Sequence, residues 1–153
     1  GLAARALGAG RKVLVARFLK NNESAEIGSL EKLGARVLPV EKVFNLIYVK
    51  KEDIPKEAGE YYTDLFCRAR DEALAGAYDL VVLDEIAAAA RLELVDVSLI
   101  TEFIKEKPDS MEIVMTGRKP PEELLELSDY VSEVKKIKHP MDRGIMARKG
   151  IEY

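Results

Sequence analysis

One cysteine and one histidine occur in 153 residues, and each scarcity removes a class of chemistry. Cys67 has no partner for an internal disulfide, which suits a reducing compartment. Its neighbours Leu65, Phe66 and Ala69 read as a helix face turned inward, where a thiol behaves as a small hydrophobe. With His139 as the sole imidazole and no second cysteine, a zinc site lacks its ligands. No apolar run reaches the roughly 18 residues that span a bilayer, and the amino end lacks a signal-peptide layout. The expectation is a cytoplasmic protein without membrane contact. An excess of one charge is also missing: 24 Lys and Arg stand against 27 Asp and Glu, a net −3. Bulk charge therefore gives no hold on nucleic acid. No internal repeat or low-complexity tract interrupts the chain.

What is present is enough apolar material, 48% of the residues, for one sizeable core and a single domain over 1–153. The organising stretch is Asp79-Leu80-Val81-Val82-Leu83-Asp84-Glu85. Its apolar, β-branched centre reads as a strand buried on both faces, and two carboxylates close it. In an open α/β sheet, ligands bind beyond the carboxyl ends of the strands. A carboxylate there is the Walker B arrangement that holds the magnesium of a bound nucleotide; a solvated strand end has the same pattern.

Around that stretch, 12–19, 36–40, 112–115 and 130–137 read as further strands. Helices are expected at the amino end up to a glycine cap at Gly8 or Gly10, from a Ser24 cap to Gly34, over 56–76, and over 95–105. Another begins at Pro120-Pro121-Glu122-Glu123, where proline and acidic residues suit a first turn. Residues 41–55 are the least regular. Strands alternating with helices imply a mostly parallel sheet covered on both faces.

Thr116-Gly117-Arg118 closes the strand at 112–115 on the same sheet edge as Asp84 and Glu85. An arginine fork matches phosphate oxygens, and a glycine lets backbone approach them. A surface arginine after a tight turn is the plainer alternative. The sequence contains no Gly-x-x-x-x-Gly-Lys-Ser/Thr loop to cradle phosphates. Since a P-loop precedes a helix, and 1–9 reads as the tail of one, the first strand and P-loop are expected to be absent from this chain. Arg5 would then lie near a triphosphate, unless it is a helix-surface charge.

Several segments in the same order resemble the P-loop type of ATP:corrinoid (cob(I)alamin) adenosyltransferase. They are residues 1–13, the Walker B strand Val81-Val82-Leu83-Asp84-Glu85, and Thr116-Gly117-Arg118 with Pro121-Glu122-Glu123-Leu124. The most diagnostic is the tail from Ile137-Lys138-His139-Pro140-Met141-Asp142-Arg143 to Gly150-Ile151-Glu152-Tyr153. The resemblance implies a three-layer, RecA-like α/β fold and a homodimeric transferase of cobalamin biosynthesis. Its substrates would be ATP, with Mg2+, and a corrinoid. Co(I) attacks the ribose C5′ of ATP and triphosphate leaves, so the protein aligns the two atoms, stabilises leaving charge and makes Co(II) reducible. A flavodoxin-like protein would supply electrons.

Carried onto this chain, the resemblance makes Glu85 the magnesium ligand with Asp84 supporting it, and Arg5, Thr116, Gly117 and Arg118 the nucleotide and phosphate contacts. No side chain is identified as an acid–base catalyst. The family's Gly-Phe-Thr-Trp loop falls on Val43-Phe44-Asn45-Leu46, which keeps the Phe44 aromatic and replaces the tryptophan by Leu46; Tyr48 is the substitute aromatic. These three and His139 form the corrinoid-facing set, although His139 also suits a tail-pinning role. The alanines 87–90 replace polar and aromatic groups of relatives, and Lys135, Lys136 and Lys138 form a basic run. Two other functions fit the same residues: a RecA-like ATPase with Glu85 as general base, or a non-catalytic corrinoid- or nucleotide-binding relative.

Overall fold

A computed structural model describes residues 1–21, 24–46 and 49–151. Strands β1 (Val13–Arg17), β2 (Arg36–Val37), β3 (Leu80–Asp84) and β4 (Glu112–Met115) form one sheet. Its order is β2-β1-β3-β4, with every pairing parallel. This is the α/β architecture expected from the alternation of strand and helix patterns.

Strand residues alternate sides, so even a wholly apolar strand serves two cores. Leu14, Ala16, Val81 and Leu83 enter one core with the longest helix, α3 (Lys56–Gly76). Val13, Val15 and Leu80 enter the other, where Ala3, Ala6, Leu7, Ile27 and Leu30 pack on them. The latter residues come from α1 (Leu2–Gly8) and α2 (Ala25–Lys32). Short α4 (Ile86–Arg91), α5 (Val97–Glu106) and α6 (Glu122–Glu126) complete the α3 side, burying Ala89, Ile100, Phe103 and Leu124. Three layers result.

Local chemistry sets the helix ends. Past α1, Gly10 takes φ +75°; its N–H bonds the Leu7 carbonyl and the Arg11 N–H bonds that of Ala6. That pair is the Schellman closure, which places a left-handed residue where glycine is least strained. Ser24 occupies the N-cap of α2 without a side-chain bond, whereas Asp96 caps α5 by accepting the Ser98 N–H at 2.8 Å.

Asp79 fastens the amino ends of three strands. Its carboxylate accepts the Lys12 N–H at 2.8 Å and Arg11 Nη1 at 3.0 Å. Its own N–H donates to the Lys12 carbonyl, and its carbonyl accepts from Glu112. The Lys12 N–H, then the Arg11 guanidinium, hold the Asp79 carboxyl below its ordinary range.

The strand expected at 130–137 does not form. Tyr130 is 95% and Val134 98% exposed, and no described strand lies alongside to complete backbone hydrogen bonds, so water takes them. At 36–40 only the first two residues qualify as strand, although the Leu38 N–H still bonds the Val15 carbonyl. Cys67 is half-buried rather than enclosed.

A carboxyl lowered on folding contributes stability above its unfolded pKa and loses it as pH falls through the folded one. Wild-type stability should therefore fall as pH drops below about 4. Asp79→Asn should be less stable than wild type at pH 7, with the difference closing in acid. Chemical denaturation from pH 7 to 2 measures both, and a constant difference would contradict this role.

Candidate functional site

The carboxyl ends of β1, β3 and β4 gather a polar cluster on an apolar platform. Arg17 lies opposite Asp84 in the β1–β3 register, and the Phe18 N–H bonds the Asp84 carbonyl at 2.8 Å. Across β3, the Thr116 N–H bonds the Leu83 carbonyl at 3.2 Å. Backbone pairing thus delivers Asp84 and Thr116 to one edge.

Side chains then connect them. Thr116 Oγ1 donates to Asp84 Oδ1 at 2.7 Å and accepts the Glu85 N–H at 2.9 Å. Lys20 Nζ meets Asp84 Oδ2 at 2.7 Å. Both Asp84 oxygens thereby hold a charged or hydroxyl donor. Glu85 is half-buried, and its carboxylate makes no hydrogen bond or ion pair with any described residue. It stands at φ 64°, ψ 14° as the N-cap of α4, a left-handed conformation costing a non-glycine residue about 1–2 kcal/mol. The chain passes from strand to helix within that residue.

Gly117 explains why the turn is so tight. At φ +143°, an added Cβ would lie 2.7 Å from the Ala88 nitrogen and 2.9 Å from Ala87 Cβ. The Ala87 N–H also bonds the Thr116 carbonyl at 3.1 Å. The missing side chain therefore admits the first turn of α4. Residues 86–90 are all buried, and alanine is what lets the helix approach so closely.

Arg17 and Lys20 escaped the sequence reading. Arg17 is only 3% exposed; its Nη1 donates to the Asn21 carbonyl at 2.7 Å. Burial lowers its guanidinium pKa, and the charges of Glu26, Asp84 and Glu31 act against that shift. The available signal was a cation at the carboxyl end of a strand pairing with the carboxylate strand. Lys20 falls one residue past the strand expected at 12–19, between elements.

None of the other expected residues joins this hydrogen-bonded cluster. Arg5 is exposed on α1 and Arg118 in the turn after β4; neither side chain has an ion pair with a described residue. Phe44 and Leu46 are half-buried against the α3 core. The Phe44 ring lies tilted against Tyr61 and Tyr62, with centroids 5.8 Å and 5.9 Å away, while Tyr61 Oη accepts the Glu41 N–H at 2.9 Å and holds the loop. Tyr48 lies outside the described residues. His139 Nδ1 accepts the Met141 N–H at 3.2 Å, capping the 3-10 turn Pro140–Arg143. That turn is further tied by Lys136 to Asp142 at 2.8 Å.

Among the described residues, no three His, Cys, Asp or Glu side chains gather as a metal cage. Two adjacent carboxylates at a strand end instead fit magnesium, which keeps waters and phosphate oxygens in its shell. A groove of about 1080 Å³ lies between α3 and the α4–α5 segment, with Thr63, Cys67, Ala90 and Arg91 in its wall; neither Asp84, Glu85 nor Thr116 lines it.

Gly117→Ala should lower the melting temperature by several degrees, since left-handed strain of about 1–3 kcal/mol adds to the overlap with α4. Thermal unfolding checks it; an unchanged transition would show that α4 yields freely.

The sequence matches the family of ATP:corrinoid adenosyltransferase BtuR/CobO/CobP over residues 1–153. It is 44% identical over 75 residues to a corrinoid adenosyltransferase of Sinorhizobium sp, covering 48% of this chain and 35% of that protein. Identity to the corrinoid adenosyltransferase of Escherichia coli K12 is 29%, covering 100% of this chain and 76% of the relative. For that of Pseudomonas aeruginosa it is 31%, covering 100% and 75%.

Proposed function

The chain belongs to the ATP:corrinoid adenosyltransferase family, and we propose that its Asp84, Glu85 and Thr116 cluster forms the metal-triphosphate half of the ATP site. The transferase reaction moves the 5′-deoxyadenosyl group of ATP to a corrinoid. Co(I) donates its electron pair to C5′, a Co–C bond forms, and the C5′–O bond breaks with its electrons leaving on triphosphate. No proton need move at the reacting carbon, so the protein's contribution is alignment and charge.

The observation that carries the assignment is the adjacent carboxylates at the carboxyl end of β3, Asp84 bonded by Thr116 and Lys20 and Glu85 held only through its backbone N–H. Magnesium would neutralise charge on the leaving triphosphate. Glu85 would hold it, its carboxylate accepting no bond from a described residue, with Asp84 in support. Arg118, exposed on the same edge, has donors available for phosphate oxygens; Arg5, exposed on α1, is assigned the same role. Phe44 and Leu46 would present the apolar wall that excludes water and a lower axial ligand from the corrinoid, braced by Tyr61 and Tyr62. Their half-buried placement supports this, since part of each side chain remains open. His139 is assigned to pinning the tail, because its Nδ1 already caps a turn.

No described helix is long and apolar enough to cross a membrane. A cytoplasmic homodimer served by a flavodoxin-like reductant completes the proposal; the single cysteine supports a reducing compartment, and family resemblance supports the rest.

Full-length protein incubated with ATP, magnesium and chemically reduced cobalamin should yield adenosylcobalamin and triphosphate. ADP and phosphate without adenosylation would point to the ATPase reading and overturn this one. Glu85→Gln should weaken magnesium-dependent ATP use with the circular dichroism spectrum retained; unchanged turnover would remove Glu85 as ligand. Phe44→Ala should slow adenosylation starting from Co(II) more than from pre-formed Co(I). Equal slowing in a two-substrate rate comparison would leave Phe44 a packing residue only.

A further inference from the structure

Adjacent carboxylates at a strand end are chemically alike, yet their surroundings here differ. Asp84 has a protein donor on each oxygen, Thr116 Oγ1 and Lys20 Nζ, both at 2.7 Å. These two bonds come from opposite sides, β4 and the loop after β1, and fix the plane of the carboxylate. The Glu85 side chain has neither bond, but its backbone is held: its N–H is spent on the same Thr116 hydroxyl at 2.9 Å. One hydroxyl carries one donor and two acceptor sites, so Thr116 can satisfy both neighbours at once. It also restrains Glu85 in its left-handed conformation, which sets the direction in which its side chain leaves the backbone.

We propose that Thr116 is a positioning residue: with Lys20 it commits Asp84 to the protein and aims Glu85 at the metal-nucleotide. This rests on reading the cluster as the magnesium side of the ATP site. The hydroxyl is therefore used up inside the protein rather than on a phosphate. Thr116→Val keeps the shape and removes both bonds; Thr116→Ser keeps both. Loss of a group that orients a metal ligand commonly lowers metal affinity about 10–100-fold.

The test is binding of a fluorescent ATP analogue to the full-length protein, titrated with magnesium and repeated in chelator. Thr116→Val should raise the half-saturating magnesium concentration about tenfold or more, with Thr116→Ser within about twofold of wild type on the same scale. In chelator, wild type and Thr116→Val should bind the analogue equally. A Thr116→Val variant with wild-type magnesium response, a Ser variant that fails to restore it, or a Val defect equally large in chelator would overturn the proposal. Should Thr116→Val not fold, Lys20→Met, a change at a partly exposed side chain, decides. It should shift magnesium half-saturation in wild type and have no further effect in Asp84→Asn; independent effects would overturn it. The underlying reading fails separately, if wild-type protein binds the analogue with no magnesium dependence at all.

Discussion

Everything in this molecule depends on the parallel pairing of β1 with β3. Five consecutive registered pairs, from Val13 with Leu80 to Arg17 with Asp84, place two apolar strands at the sheet centre with a core on either face. That placement permits no polar side chain until the last pair, where Arg17 meets Asp84. Burial and charge are thus decided by the same ladder: its first four pairs build the two cores, and its last opens the site.

From that ladder the polar edge follows almost without further instruction. β4 adds Thr116 on one flank, the loop after β1 adds Lys20 on the other, and both bond to Asp84. Glu85 is the residue at which strand becomes helix, and its left-handed backbone follows from making that change in one step. The transfer chemistry of the family asks for this kind of edge. Charge must be stabilised on a departing triphosphate, and donors held in place before the reaction do so without reorganising.

How much of this could be read from residues alone depended on whether the information was local. The apolar run at 80–83 and its carboxylates specify a buried strand with a charged end within seven residues, and β3 forms there. Lys56–Gly76 declared a helix by spacing, and Ala58, Tyr62, Leu65, Phe66, Ala69 and Ala73 are its buried face. Thr116, Gly117 and Arg118 were legible as a strand end, but their partners were not, since the bonds to Asp84 and Ala87 join segments about thirty residues apart. Gly117 illustrates the difference: its need for space was visible, and only the packing of α4 shows what fills it. The tail at 130–137 failed for the complementary reason. Its composition favours a strand, but a strand is a pairing rather than a property of one segment, and no described neighbour provides one.

The contact between Gly117 and the alanines of α4 bears on how this site could diversify. A side chain at 117 would press into the Ala88 backbone and the Ala87 Cβ, so the elbow tolerates little substitution there. Substitution is sterically easier in segments outside that contact, such as the irregular loop carrying Phe44. At this strand end, steric exclusion as well as hydrogen bonding keeps the turn after β4 and the start of α4 in register.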